Sequence, residues 1–242
     1  GISLLVWTTT PWTLISNTAA AVNAKVDYVV AQTAAGEYLI VADALREKVL
    51  GEDSKVLETI VGRDLEGTGY QRPFDWVTFP ETDAPVHTVL LADFVTTEDG
   101  TGIVHTASVF GADDFRAARE NNVPSVMITD DKGNELPLVD KQGRFVNEVT
   151  DFAGRFVKEE YYSDEERKDP DFRPTDVLIA IKLKEDNKAF DVKKYEHSYP
   201  HCWRTDKPIL YYPLDSWFVA ASRAKERMYE LNKTISWKPA AT

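Results

Sequence analysis

Through its first 110 residues the chain is a succession of short β-type runs: SLLVWTTT, YVVAQT, EYLIVA, KVLETIVG, VHTVLLADFV and GIVHTA, separated by Gly, Asp, Asn and Pro. Runs of about four to eight residues rich in Val, Ile, Thr and aromatics, closed by turn formers, read as strands. So many short strands in succession restrict the fold to a barrel or a compact mixed sheet. Helices enter as additions. Asp43 to Leu50 is a short helical candidate, and Asp113 to Asn122 a firmer one, with Asp113 and Asp114 placed to face the positive end of the helix. From about Asp151 charged helical stretches take over, EEYYSDEERKD and TDVLIAIKLKED, followed by a strand-like PILYYPLDSWFV and a helical ASRAKERMYELN. The acidic YYSDEERKDPD reads as a solvated surface. The predicted fold is α/β mixed, β-rich and barrel-centred, with peripheral helices. It forms a single domain over 1–242, with a β-rich core over 1–150 and helical decoration with a return strand over 151–242.

A chain of 242 residues, 43% of them hydrophobic, can bury one large core. Forty Asp and Glu against 28 Lys and Arg give a net charge of -12, which opposes general charge-driven binding to DNA or an anionic membrane. A polyanionic partner must be gripped locally, by groups such as Arg155, Lys158, Arg204 and Lys207. The single cysteine, Cys202, excludes an internal disulfide framework, and no run of about 18 apolar residues is available to span a bilayer. These features predict a cytoplasmic protein. The opening GISLLVWTTT has no leader-like pattern and reads as the interior of a strand, which suggests a piece excised from something larger.

Two stretches carry chemistry. In VWTTTPWTL, an extended backbone puts Thr8 and Thr10 on one face and Thr9 on the other before Pro11 stops the ladder. Such a run serves equally as a β-branched strand end with core tryptophans or as a set of hydroxyls around a polar ligand. In DGTGIVHTASVFGADDF, Gly100 and Gly102 permit a tight turn, IVHTA reads as a strand carrying His105, and Gly111 precedes a helix opened by Asp113 and Asp114. A histidine on a strand end beside a helix N-terminus is a binding geometry, although singly these residues fit a packed histidine and helix-start charges.

Taken together, WTTTPWTL, GTGIVHTA, FGADDF, HSYPHCWRTDKPILYYPLDSWFV and NKTISWKP resemble the editing (CP1) domain inserted in isoleucyl-tRNA synthetases, class I aminoacyl-tRNA synthetases. The resemblance runs nearly end to end. Thr10, Trp12 and His105 side with the isoleucyl type rather than the valyl or leucyl types; Ser108 departs from the proline usual there. The resemblance implies hydrolysis of the ester that joins valine to isoleucine tRNA, without any cofactor. Its partners would be the acceptor end of that tRNA and the rest of the synthetase in cis, with no membrane and no DNA. The HIGH and KMSKS signatures of the ATP-binding synthetic site do not occur in the sequence, so no amino-acid activation is expected.

The resemblance also implies the site. Thr8, Thr9 and Thr10 would hold the ester and the attacking water, Asp114 would pair with the free α-ammonium, and His105 with Trp12 would size the pocket. Asn17 and Tyr199 match family positions near the pocket. Covalent catalysis by a threonine is not required, because an aminoacyl ester is already activated and a positioned water suffices. A non-catalytic module that only orients the acceptor end, an editing domain of the valyl or leucyl type, and an unrelated β-rich ligand binder are the alternatives. His197, His201 and Cys202 lie close together, but the position of Thr205, where some relatives carry a second cysteine, offers no thiolate, and no zinc site is predicted.

Overall fold

Strand β3 (Asp27–Gln32) pairs antiparallel with β4 (Tyr38–Ala42) on one side and β5 (Lys55–Val61) on the other; β1 (Ile2–Leu4) adds parallel to β4, giving a sheet in the order β1-β4-β3-β5. A second sheet places β2 (Ala19–Val22) between β6 (Thr88–Leu91), parallel, and β7 (Val104–Thr106), antiparallel. A hairpin of β8 (Met127–Thr129) and β9 (Glu135–Pro137) stands apart. This computed structural model describes residues 1–79, 82–214, 216–236 and 238. Its chain divides into two compact units, Gly1–Tyr212 and Pro213–Thr242.

Backbone hydrogen bonds join the two larger sheets at both sides. After β1 the chain changes partner: Leu5 N–H donates to Ile40 of β4, whereas Trp7 N–H donates to the Ile103 carbonyl (2.9 Å) and Trp7 bridges Val104 of β7. On the other side the segment leaving β5 meets β6, where Gly67 N–H donates to the Val89 carbonyl, Val89 N–H to that of Thr68 and Tyr70 N–H to that of His87. The strands thereby follow a barrel-like circuit around Ala20, Val22, Tyr28, Val30, Ile40, Ala42, Leu65, Val89 and Ile103. Strand alternation explains how β2 serves two cores at once. Ala20 and Val22 face this cluster, while Ala19 and Ala21 pack with Ala117, Ala118 and Val123 around α2 (Ala112–Glu120). The small side chains allow both neighbours to approach, and they also hide the strand from a reading that looks for β-branched residues.

The helices fall close to where the sequence puts them: a 3-10 turn Asp43–Leu45 running into α1 (Arg46–Leu50), then α2, the short α3 (Asp164–Arg167) and α4 (Thr175–Glu185). Asp164–Arg167 begins with a capping box in which Ser163 and Glu166 satisfy each other's backbone amides. In the second unit Ala221–Ala224 is a 3-10 turn leading into α5 (Lys225–Asn232). Two expected strands differ. SLLVWTTT forms a ladder only over Ile2–Leu4, because the threonines fold back locally. PILYYPLDSWFV forms no strand among the described residues: Pro208 and Pro213 cannot donate, and only a single bridge, His201 with Pro208, is made. Asp215 of that stretch, and Trp237 and Pro239 of NKTISWKP, lie outside the described residues.

A second core underlies the site: Trp12, Ile15, Phe74, Ala107, Phe110, Val126, Leu138, Phe145, Val149, Phe152 and Ile179 form one cluster. It joins the 3-10 helix Pro11–Ser16, the loop after β7, the β8–β9 region and α4.

Candidate functional site

The threonine run is a turn rather than a strand. The Thr10 amide donates to Thr8 Oγ1 (3.1 Å) and the two hydroxyls stand 3.4 Å apart, so the pair that a strand would place on one face is brought together by a local bend. Ser and Thr hydroxyls compete with a ladder in this way. Pro11 then opens the 3-10 helix Pro11–Ser16, the position at which its missing N–H costs nothing. Bonds between Trp7 and the residues flanking Val104 hold the run against β7. Gly100 helps to set that approach: its φ of +74° suits glycine, and a Cβ there would stand 2.7 Å from the Trp7 ring.

Trp7, Thr8, Thr9, Thr10, Thr13, Val104, His105, Phe110, Gly111 and Asp114 line one cleft of about 200 Å³. Behind it runs a polarised chain of hydrogen bonds. The Tyr70 hydroxyl donates to Asn17 Oδ1 (2.6 Å), and the Asn17 amide nitrogen, oriented by its bond to the Ala19 carbonyl (3.1 Å), donates to His105 Nδ1 (2.8 Å). That leaves the His105 proton on Nε2, which donates to Thr13 Oγ1 (3.1 Å); Thr13 Oγ1 in turn donates to the Thr10 carbonyl (2.8 Å). His105 is 4% exposed, and burial pulls it down to a pKa of about 4, so near neutrality it is an uncharged imidazole of fixed tautomer.

Asp114 enters the cleft from the first turn of α2. Gly111, the residue before that helix, leaves room for it: a Cβ on Gly111 would stand 3.1 Å from the Asp114 carboxyl carbon. Burial pushes Asp114 up to about 6, offset by the Ala107 N–H that donates to Oδ2 (3.0 Å) and reinforced by the neighbouring Asp113. Among the described residues it has no Lys, Arg or His partner within 4.0 Å. A desolvated carboxylate in a cleft that meets no cation among the described residues is able to pair with a cationic group.

The other expected residues lie elsewhere. Trp12 is 2% exposed and packs edge-on against Phe110 at 5.0 Å; it stands behind the wall and does not line the cleft, because its own helix turns it into the second core. Asn17 acts on the cleft through His105. Tyr199 does not line it either: its ring takes the Lys158 ammonium 4.0 Å from its centroid, and burial pushes its hydroxyl up to about 12. Ser108, which stands where the family usually has proline, is buried, with its hydroxyl 2.8 Å from that of Thr18. The structure adds Trp7, Thr13 and Phe110 to the cleft lining and Tyr70 to the hydrogen-bond chain behind it. Thr13 was legible in the spacing, since a helix begun at Pro11 brings it beneath Thr10. Tyr70 carries no local signal.

No family model matches the chain. Isoleucine–tRNA ligase from Cytophaga hutchinsonii is 50% identical over 268 residues, covering 98% of this chain and 24% of that protein. The isoleucine–tRNA ligases of Bacteroides fragilis and Clostridium novyi are 42% and 41% identical, each again across 98% of this chain. The chain belongs to the isoleucine–tRNA ligase family. It spans 24% of the length of the Cytophaga protein and 20% of the Clostridium one. In fold it is similar to the crystal structure of GlLeuRS-CP1, with a TM-score of 0.50 at 18% identity over 80% of this chain and 84% of that one. This segment therefore has the strand-rich, mixed α/β architecture of GlLeuRS-CP1.

Proposed function

We propose that this segment removes valine wrongly attached to isoleucine tRNA, by hydrolysis of the aminoacyl ester, within a longer isoleucine–tRNA ligase. The observation that carries the reading is Asp114, a half-buried carboxylate without a cationic partner among the described residues, sharing a small cleft with Thr8, Thr9 and Thr10. The α-ammonium of the aminoacyl group pairs with Asp114, which fixes the ester carbonyl toward the threonine turn. A water held there by hydroxyl and backbone groups adds to the carbonyl carbon, and the bond to the ribose oxygen breaks. The ribose oxygen takes a proton given up by that water, releasing free valine and deacylated tRNA. Selection suits a second site of this kind, because one methylene more or less in an apolar pocket is worth only about 10- to 200-fold in discrimination. The neutral His105 ring sets the inner wall and limits the side chain admitted.

The ligase chain carrying Asp114→Ala or His105→Ala, incubated with valyl- and isoleucyl-tRNA, tests the reading by release of the amino acid. Asp114→Ala is expected to lose valine release, the unpaired ammonium costing about 2 to 5 kcal/mol. His105→Ala is expected to release isoleucine as well. Undiminished valine release by the Asp114 variant contradicts the anchoring role; a His105 variant that still spares isoleucine assigns the size limit to another residue.

A further inference from the structure

The 3-10 helix that closes the threonine turn has no cap of its own. Thr10, the residue before it, makes no side-chain capping bond, and Pro11 has no N–H. The next amide, that of Trp12, is satisfied from a distant part of the chain: it donates to Asp176 Oδ1 (3.2 Å), 164 positions further on, in the first turn of α4. Helix α4 rests on the 3-10 helix through Ile179, which belongs to the same cluster as Trp12 and Ile15. Two facts mark Asp176 as more than a surface charge. Burial raises its pKa, with the Lys158 ammonium and the Trp12 N–H opposing that shift and Glu160 adding to it. Among the described residues it also has no ion-pair partner within 4.0 Å, so its one close hydrogen-bond donor is the Trp12 amide.

That amide sits at the pivot of the site. Thr10 lies on one side of it, and its carbonyl accepts from both the Thr13 amide (3.0 Å) and the Thr13 hydroxyl (2.8 Å). Thr13 also receives His105 Nε2–H. A displacement at Trp12 therefore reaches Thr10, Thr13 and the His105 contact together. We propose that Asp176 is a positioning residue for the deacylation site: by holding the Trp12 N–H from α4, it fixes the Thr8–Thr10 turn in register with His105 and Asp114. This rests on the hydrolytic reading given above.

The test uses the full-length ligase with Asp176→Ala, Asp176→Asn or Ile179→Val. Asparagine keeps an acceptor oxygen for the amide; Ile179→Val weakens the packing of α4 without touching that bond. Misplacement of a reacting group by about 1 Å costs up to about 100-fold, so Asp176→Ala is expected to lower kcat for valyl-tRNA deacylation by about 10-fold or more, with KM changed less than about twofold. Asp176→Asn should restore most of that loss, and Ile179→Val should leave kcat unchanged while lowering Tm. Hydrogen–deuterium exchange over residues 8–16 is expected to quicken in Asp176→Ala and not in Asp176→Asn. Wild-type kcat and exchange in Asp176→Ala, failure of asparagine to rescue, or an equal loss of kcat in Ile179→Val each overturns the proposal. If the wild-type ligase releases no valine, the hydrolytic reading falls, and the exchange arm still decides whether Asp176 orders the turn.

Discussion

Asp114 answers to two opposed demands, and its protonation separates them. Burial raises its pKa to about 6 from the ordinary 3.8, so the folded state holds this proton more firmly than the unfolded chain does. The resulting stabilisation is complete below the unfolded value and is lost as pH rises through about 6. At neutral pH the folded protein therefore carries a desolvated charge that a cationic substrate would relieve. Asp114→Asn keeps an acceptor for the Ala107 N–H and removes the charge. It is expected to stabilise the protein by about 1 to 3 kcal/mol near pH 7.5 and by almost nothing near pH 4, where the wild-type group is already neutral. Thermal unfolding at those two pH values reads the difference directly, because the shifted His105 is common to both proteins and cancels. A gain of equal size at both would remove the charge from the explanation. The sequence made Asp114 readable, since an acidic residue at a helix start behind glycine is a local pattern. It offered Trp12 both as a core residue and as a pocket wall, and only Phe110 and the α4 cluster closing over the ring decide for the core.

Among the elements, those whose own residue pattern settles their conformation were legible: β3, β4, β5 and β6, the two larger helices α2 and α4, and α5. Those fixed by tertiary contact were not. Ala19–Val22 is the centre of its sheet with no β-branched residue before Val22, and only the need to pack against two cores explains it. The threonine run carries strong strand propensity, yet a hydroxyl–amide bond within the run and Pro11 after it direct the chain into a turn. The loop before β7 keeps that turn in place. Gly100→Ala would put a Cβ against the Trp7 ring at a φ of +74°, a backbone conformation that by itself costs an L-residue roughly 1 to 2 kcal/mol. The expected outcome is a loss of about 2 to 4 kcal/mol in urea unfolding, once displacement of a packed aromatic is added. Weaker deacylation should accompany it, as Trp7 forms part of the cleft. Gly133→Ala, at a φ of +82° with nothing within 4 Å of its Cβ, supplies the control for backbone strain alone. Equal losses in the two variants would leave the Trp7 contact without energetic weight.

For the molecule as a whole, charge limits what this segment does alone. A net charge of -12 sets the chain against a phosphate backbone, and the groups available to counter it are partly engaged. Arg155 donates to the Arg173 carbonyl (2.8 Å), Lys158 is half-buried over Tyr199, and Arg204 lies 5.1 Å over the Trp203 ring. Lys207 is exposed. Each phosphate neutralised on a single strand steepens the fall of log K with log salt by about 0.7, so a grip made by two or three cations gives a slope of only about -1.4 to -2.1. The 242-residue chain is therefore expected to bind deacylated isoleucine tRNA in the range of non-specific complexes, with a Kd of roughly 1 to 100 μM near physiological salt. The intact ligase should bind more tightly and with a steeper slope, because most of its phosphate contacts would lie in the remainder of the protein. Fluorescence anisotropy across a salt series measures both quantities. Nanomolar, salt-insensitive binding by the segment would mean that recognition resides in base and shape contacts made by this unit, against the charge argument. An intact ligase with the same shallow slope would show that the rest of the protein adds no phosphate grip.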